Sequence, residues 1–114
     1  MEDPSYFLAH KIFHDHDLKL IPVTQHRDGA GTVDVGRVGA LLESLSSATT
    51  TAADAMPKLL YCVPTGNNPT SRSMPDEDRR RLVQLCAQHR VYLVCDDVYE
   101  MLTWHDQAEA AQDP

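Results

Sequence analysis

KLLYCVPTGNNPTSRSMPDEDRRRLVQLCAQHRVYLVCDDVYE, residues 58–100, carries an apolar run, a loop, a helical pattern and a second apolar run, in that order. The first run, Leu59 to Val63, is closed by Pro64 and Gly66, the bounded pattern of a buried strand. A helix is predicted from about Ser73 to Arg90. Ser73 stands three residues before Asp76 as in a capping box, and Pro75 sits in the first turn. Asp76, Glu77 and Asp78 suit the positive helix end, and His89 and Arg90 mark the other end. The second run, Val91 to Cys95, is too short for a helix and rich in β-branched and aromatic residues, so it reads as a buried strand stopping on Asp96 and Asp97. Strand, helix, strand with short connections predicts parallel pairing by a right-handed crossover. The carboxyl ends of both strands then meet on the sheet edge where open α/β folds bind ligands. Asn68, just past the first strand, and Asp96 and Tyr99, just past the second, are thereby expected in one cleft, with Asp97 turned aside.

At these residues the chain resembles the class I/II aminotransferases, the fold-type I pyridoxal-phosphate enzymes. Asn68-Pro69-Thr70-Ser71 is similar to the family's Asn-Pro-Thr-Gly loop, and Asp96-Asp97-Val98-Tyr99 to its Asp-x-x-Tyr strand end. The opening Glu2-Asp3-Pro4-Ser5-Tyr6 resembles a Glu-x-Pro-x-aromatic segment. The resemblance implies that Asn68 and Tyr99 hydrogen-bond the phenolic oxygen of pyridoxal 5'-phosphate, that Asp96 pairs with its protonated ring nitrogen, and that Tyr6 stacks on the ring. An acid at that place has its own physical reason, because a carboxylate keeps a ring nitrogen protonated and so lets the ring accept electrons. Tyr6 can also be read as a packed core aromatic. Ser71 departs from the pattern, since a glycine there commonly serves a positive backbone dihedral.

Composition agrees with one globular unit: 114 residues, 42% hydrophobic and 24% charged. A net charge of −7 argues against nucleic acid and against an anionic membrane surface. Arg79, Arg80 and Arg81 are expected on a solvated, ion-paired helix face, with Asp76 and Glu77 four residues before Arg80 and Arg81. Cys62, Cys86 and Cys95 read as buried thiols in a reducing compartment. No stretch nears the roughly 20 apolar residues of a membrane span and the N-terminus lacks the pattern of a secretory leader, so a cytoplasmic location is expected. His10, His14 and His16 lie close in sequence but lack recognised ligand spacing, so no metal site is expected. All six histidines, His26, His89 and His105 included, read as surface residues.

Elsewhere, Pro4 to His16 is predicted helical, with Tyr6, Phe7, Ala9, His10, Ile12 and Phe13 on one face, and Leu18 to Val23 is predicted as a strand. Arg27 to Gly31 reads as a turn. Val35 to Leu45 reads as a helix with Val38, Leu41, Leu42 and Leu45 on its apolar face, and its glycines do not form a nucleotide loop. Ser44 to Ala55 is small and polar, a flexible insertion, and residues 106–114 form an acidic tail.

The expected architecture is therefore α/β, a mostly parallel sheet with flanking helices. By resemblance, residues 1–105 make up part of an aminotransferase large domain. Its function would be the pyridoxal-phosphate-binding region of an enzyme acting on amino acids and 2-oxo acids, dimeric in the complete family fold. The family's phosphate-anchoring segment would precede Met1 and its Schiff-base lysine would follow Tyr99. No lysine follows Asp96, and Lys11, Lys19 and Lys58 fall elsewhere, so the chain by itself is expected to be inactive. Two other readings use the same residues: a magnesium-binding receiver or phosphotransfer domain with Asp96-Asp97 at a strand end, and a non-catalytic interaction module.

Overall fold

The computed structural model describes residues 1–26, 32–47 and 56–102. In chain order the elements are β1 (Glu2–Asp3), α1 (Phe7–Asp15), β2 (Val23–Thr24), α2 (Val35–Ser47), β3 (Leu59–Cys62), α3 (Asp76–Gln88), β4 (Tyr92–Cys95) and a 3-10 turn over Glu100–Leu102. The predicted unit is present, with β3 and β4 pairing in parallel and Leu59 opposite Tyr92 through Cys62 opposite Cys95. A second parallel pair joins β1 to β2, with Glu2 opposite Val23.

The alternation of a strand assigns its side chains to two cores. Leu60 and Cys62 face α2 and α3, in a cluster with Val38, Leu42, Leu82, Cys86 and Val91. Tyr61 and Val63 face the other way, with Met1 and Ala9, against Tyr6, Phe13 and Tyr99. The molecule is thus three-layered, helices α2 and α3, then strands, then α1. That arrangement gives β3 its unbroken apolar sequence, because both of its faces are covered.

Several expected boundaries move. Helix α3 begins at Asp76 with Pro75 as the capping residue, so the Ser73–Asp76 capping box does not form. Ser73 instead accepts a hydrogen bond through Oγ from the Gly66 N–H at 3.1 Å. The three acids do occupy the first turn. At the other end Arg90 takes a left-handed φ of 57°. Its N–H donates to the Ala87 carbonyl and the Val91 N–H to Cys86, the paired bonds of a Schellman stop. Helix α1 is shorter than expected, because Tyr6, with a ψ of 118°, stays extended before it. It packs with Ala9 and Phe13, while Phe7 and Ile12 are exposed. The strand foreseen over Leu18–Val23 reduces to Val23–Thr24, since only these residues reach a partner strand. Lys19 accordingly lies in the connection, not in a strand.

Residues 44–47, foreseen as the start of a loop, extend α2, their serine hydroxyls bonding back to carbonyls of Leu41 and Glu43. The rest of that insertion, the turn at 27–31 and the acidic tail lie outside the described residues, as does His105. Strand β4 is not the buried strand expected: Tyr92, Val94 and Cys95 are exposed, because no described element covers its outer side. Cys95 thus departs from the expectation of three buried thiols, whereas Cys62 and Cys86 meet it. A hydrogen bond with the Cys62 thiol brings Cys95 down to about 7. No helix among the described residues is long and apolar enough to cross a membrane.

Candidate active site

Past Cys62 the backbone leaves the sheet into a loop held by its own amides. The Asn67 N–H donates to the Arg72 carbonyl at 2.8 Å, and the Ser71 N–H returns to the Asn67 carbonyl. Ser71 adopts a φ of 58°, the left-handed conformation a glycine would take without strain. Past Cys95, the Asp96 N–H donates to the Cys62 carbonyl at 2.9 Å, which extends the β3–β4 ladder by one bond and fixes Asp96 at the strand end. A turn closed by the Glu100 N–H on the Asp97 carbonyl then brings Tyr99 over the loop. Gly66, with a φ of 55°, lies so close beneath it that a methyl group there would stand 3.2 Å from the Tyr99 Cβ.

The result is a cavity of about 370 Å³ lined by Tyr6, Val63, Asn68, Asp96, Val98 and Tyr99. All four candidate residues from the sequence therefore meet at one place, at the carboxyl ends of β3 and β4, with Asp97 exposed and outside the lining. A second cavity of about 380 Å³ adjoins it, sharing Asn68 and Tyr99 and bounded by Gly66, Asn67, Pro69, Ser71 and Leu102. No hydrogen bond ties the Asn68 side-chain amide or the Tyr99 hydroxyl to another described residue. Both are therefore available to a ligand.

Asp96 is braced from the sheet. The Tyr61 hydroxyl donates to Asp96 Oδ2 at 2.7 Å, leaving Oδ1 without a donor among the described residues. Burial, then the bond to this carboxylate, pushes the Tyr61 phenol well above its ordinary range, so Tyr61 remains a donor. The donor set suits an aromatic, protonated heterocycle bearing an oxygen. It offers one carboxylate oxygen, an amide, two phenols and two valines.

The arginine run divides. Arg80 and Arg81 are exposed, and Arg80 approaches Asp76 at 3.9 Å as foreseen. Arg79 is half-buried and structural: Nε donates to the Met74 carbonyl at 3.0 Å and Nη2 to Thr65 Oγ1 at 2.8 Å, with the Glu100 carboxylate 3.8 Å from Nη1. His26 and His89 are likewise half-buried, His26 lying 3.7 Å from Asp78, whereas His10, His14 and His16 are exposed. Among the described residues no three histidine, cysteine, aspartate or glutamate side chains stand together as a metal site.

The model of the aminotransferase class I and II family matches residues 1–113. The chain belongs to that family. Aromatic amino acid aminotransferase 2 of Saccharomyces cerevisiae is 34% identical over 74% of this chain, which covers 17% of it. An uncharacterized protein of the same yeast is 27% identical over 97% of the chain, which covers 28% of it. Among solved structures, an archaeal alanine:glyoxylate aminotransferase superposes with a TM-score of 0.76 at 23% identity, over 92% of this chain and 24% of that one. Aminotransferase Aro8 from Candida albicans gives 0.74 at 21%, over 97% and 22%. The fold is that of a fold-type I aminotransferase, and the chain spans less than a third of the length of these relatives. Family membership displaces the receiver-domain reading of Asp96-Asp97.

Three side chains at or beneath this candidate site were not singled out from the sequence. Tyr61 reads there only as strand apolar surface, although parallel register places it diagonally across from Asp96. Asn67 reads as a neighbour of the motif. Glu2 reads as part of a motif's spelling, yet it is fully buried, with Oε1 accepting from the Val63 N–H at 2.6 Å and from Asn67 Nδ2 at 2.8 Å. No sequence signal separates Glu2 from its neighbour Asp3, because only packing shows which of the two acids is buried and hydrogen-bonded.

Proposed function

We propose that this chain forms the ring-facing half of a pyridoxal-phosphate site in an aminotransferase acting on amino acids and 2-oxo acids, working as a homodimer in the complete protein. The observation that supports the reading most is the meeting of Tyr6, Asn68, Asp96 and Tyr99, from three separate segments, around one cavity. The unengaged Asn68 amide and Tyr99 hydroxyl and the free oxygen of a tyrosine-braced carboxylate fit the group's polar edge and ring nitrogen.

When bound, pyridoxal phosphate supplies an electron sink for the carbon that bears the substrate's amino group. Asp96, fixed by its backbone bond to Cys62 and by Tyr61, would hold a proton on the ring nitrogen. Asn68 and Tyr99 would donate to the ring's oxygen, and Tyr6 and the buried Val63 would pack against the ring. None of these residues is a nucleophilic amine, and none forms a phosphate cup of backbone amides at a helix start. The isolated chain is therefore expected to bind weakly and to transfer no amino group.

Titrating 15N-labelled chain with pyridoxal phosphate tests the reading. Perturbations should gather at Asn68, Asp96, Tyr99 and Tyr6, and should fall at least several-fold in Asp96→Ala but little in Asp97→Ala. Perturbations centred elsewhere, or unchanged by Asp96→Ala, would remove the cofactor assignment. A single borohydride-trapped adduct at Lys11, Lys19 or Lys58 with amino transfer to a 2-oxo acid would overturn the expected inactivity.

A further inference from the structure

Beneath the loop that carries Asn68 lies a polar cluster with no part in the chemistry above. Glu2, Gln25 and Asn67 are all buried, with exposures of 0%, 4% and 1%. Asn67 Oδ1 accepts from Thr70 N at 3.3 Å, Thr70 Oγ1 at 2.8 Å and Gln25 Nε2 at 3.1 Å, while Nδ2 donates to Glu2. With its backbone bonds to Ser71 and Arg72, Asn67 holds the Asn68–Ser71 turn at both ends. Gln25 Nε2 also donates to the Pro4 carbonyl at 2.9 Å, two residues before Tyr6.

Glu2 gathers the same parts from the other side. One oxygen receives the Val63 N–H, at the cavity wall past β3, and the Asn67 amide, while its own strand leads directly to Tyr6. Three segments that line the cavity, the Tyr6 strand, the end of β3 and the Asn68 loop, thus converge on one carboxylate and one amide. A buried network of this kind rigidifies what it joins, because each donor it releases would be left without water.

We propose that Glu2 and Asn67 are positioning residues that set the Asn68 and Tyr6 walls of the cavity against the end of β3. Asn67 acts through the turn and Glu2 through Asn67 and Val63. The inference rests on the preceding reading only for what the walls hold; the coupling of the walls is a property of the free chain. The titratable groups around Glu2 are the Met1 α-amino group on its own strand and the Tyr61 phenol and Cys62 thiol of β3. The loop and the end of β2 meet it with uncharged amides. Burial pushes the Glu2 carboxyl up to about 7, so the network can be read by pH.

The test follows 15N resonances of the full chain from pH 5 to 9 without ligand. In the wild type the Thr70 and Ser71 backbone amides and the Asn67 side-chain amide should move together with a midpoint near 7. In Glu2→Gln, which keeps the acceptor, that midpoint should vanish while the loop stays dispersed. In Asn67→Ala the signals of residues 68–71 should collapse while Leu82 in α3 stays put. Pyridoxal phosphate added at pH 8 should then bind Asn67→Ala about tenfold more weakly, from the loss of the four side-chain hydrogen bonds of Asn67, two of them buried.

Loop amides that ignore pH, or that titrate equally in Glu2→Gln, would overturn the proposal. So would an Asn67→Ala chain whose loop and ligand response match the wild type. If Asn67→Ala does not fold, shown by loss of the Leu82 signal, the comparison of wild type with Glu2→Gln decides alone. A wild-type loop that follows Glu2 in a chain that binds no pyridoxal phosphate would sink the cofactor reading and leave the positioning role standing.

Discussion

Replacing Glu2 with glutamine should remove a loss of stability that this protein undergoes as pH rises from 4.5 to about 7. Glu2 is wholly buried, and burial, partly offset by the Val63 N–H and the Asn67 amide, raises its carboxyl from an ordinary 4.5 to about 7. Between those values the folded chain keeps a proton that the unfolded chain has released. Folding therefore weakens as pH rises through that window. Moving the midpoint from 4.5 to about 7 corresponds to about 3 kcal/mol, fully present below pH 4.5 and gone above about 7. The Met1 α-amino group, which burial lowers from 8.0, acts with the opposite sign, favouring the folded state as pH rises. It is common to both chains and largely cancels in their difference. Glutamine keeps the acceptor for Val63 and Asn67 and places an N–H donor where Oε2 has no partner, as the protonated carboxyl does with its O–H, so the two chains differ little at low pH. Urea unfolding followed by circular dichroism from pH 4 to 8 would give the difference between wild type and variant. Relative to the variant, the wild type should lose about 3 kcal/mol between pH 4 and pH 8. A constant difference, or a wild-type lead that grows with pH, would mean that the two donors outweigh burial and that the carboxylate is the favoured form.

Gly66→Ala should cost about 1–2 kcal/mol, from its left-handed φ and the methyl group meeting the Tyr99 Cβ. It should also shift the Tyr99 ring resonances, and a variant with unchanged stability and ring shifts would refute the close approach. Arg90→Gly, at the left-handed stop of α3, should gain about 1 kcal/mol and raise Tm by a few degrees in a thermal melt; a lower Tm would refute the strain. Leu82→Ala, at 1% exposure in the α3 core, should lose about 2–5 kcal/mol in chemical denaturation. Val83→Ala, at 56% exposure, should stay within about 0.5 kcal/mol. Equal losses at the two positions would contradict the facing of α3.

Local signals announced the elements that the chain makes from its own neighbours. Two bounded apolar runs and an acid-started helix specify strand, helix and parallel strand, because short β-branched and aromatic runs favour strands and helix ends favour particular charges. That topology alone brings Asn68 and Asp96 to one edge, so the candidate site was legible as positions. The cap of α3 was not, since Ser73 could serve either the helix or the Gly66 amide, and the tertiary turn decided for Gly66. Nor was β2, whose length is fixed by where β1 lies beside it, or the exposure of Cys95, which follows from the uncovered outer side of β4. Tyr61 joined the site by strand register and Glu2 by long-range packing, contacts between residues 35 and 61 positions apart. A sequence lists which groups can donate or accept; which of them meet is set by how the layers close, because a buried polar atom must take whatever partner the packed chain brings within reach.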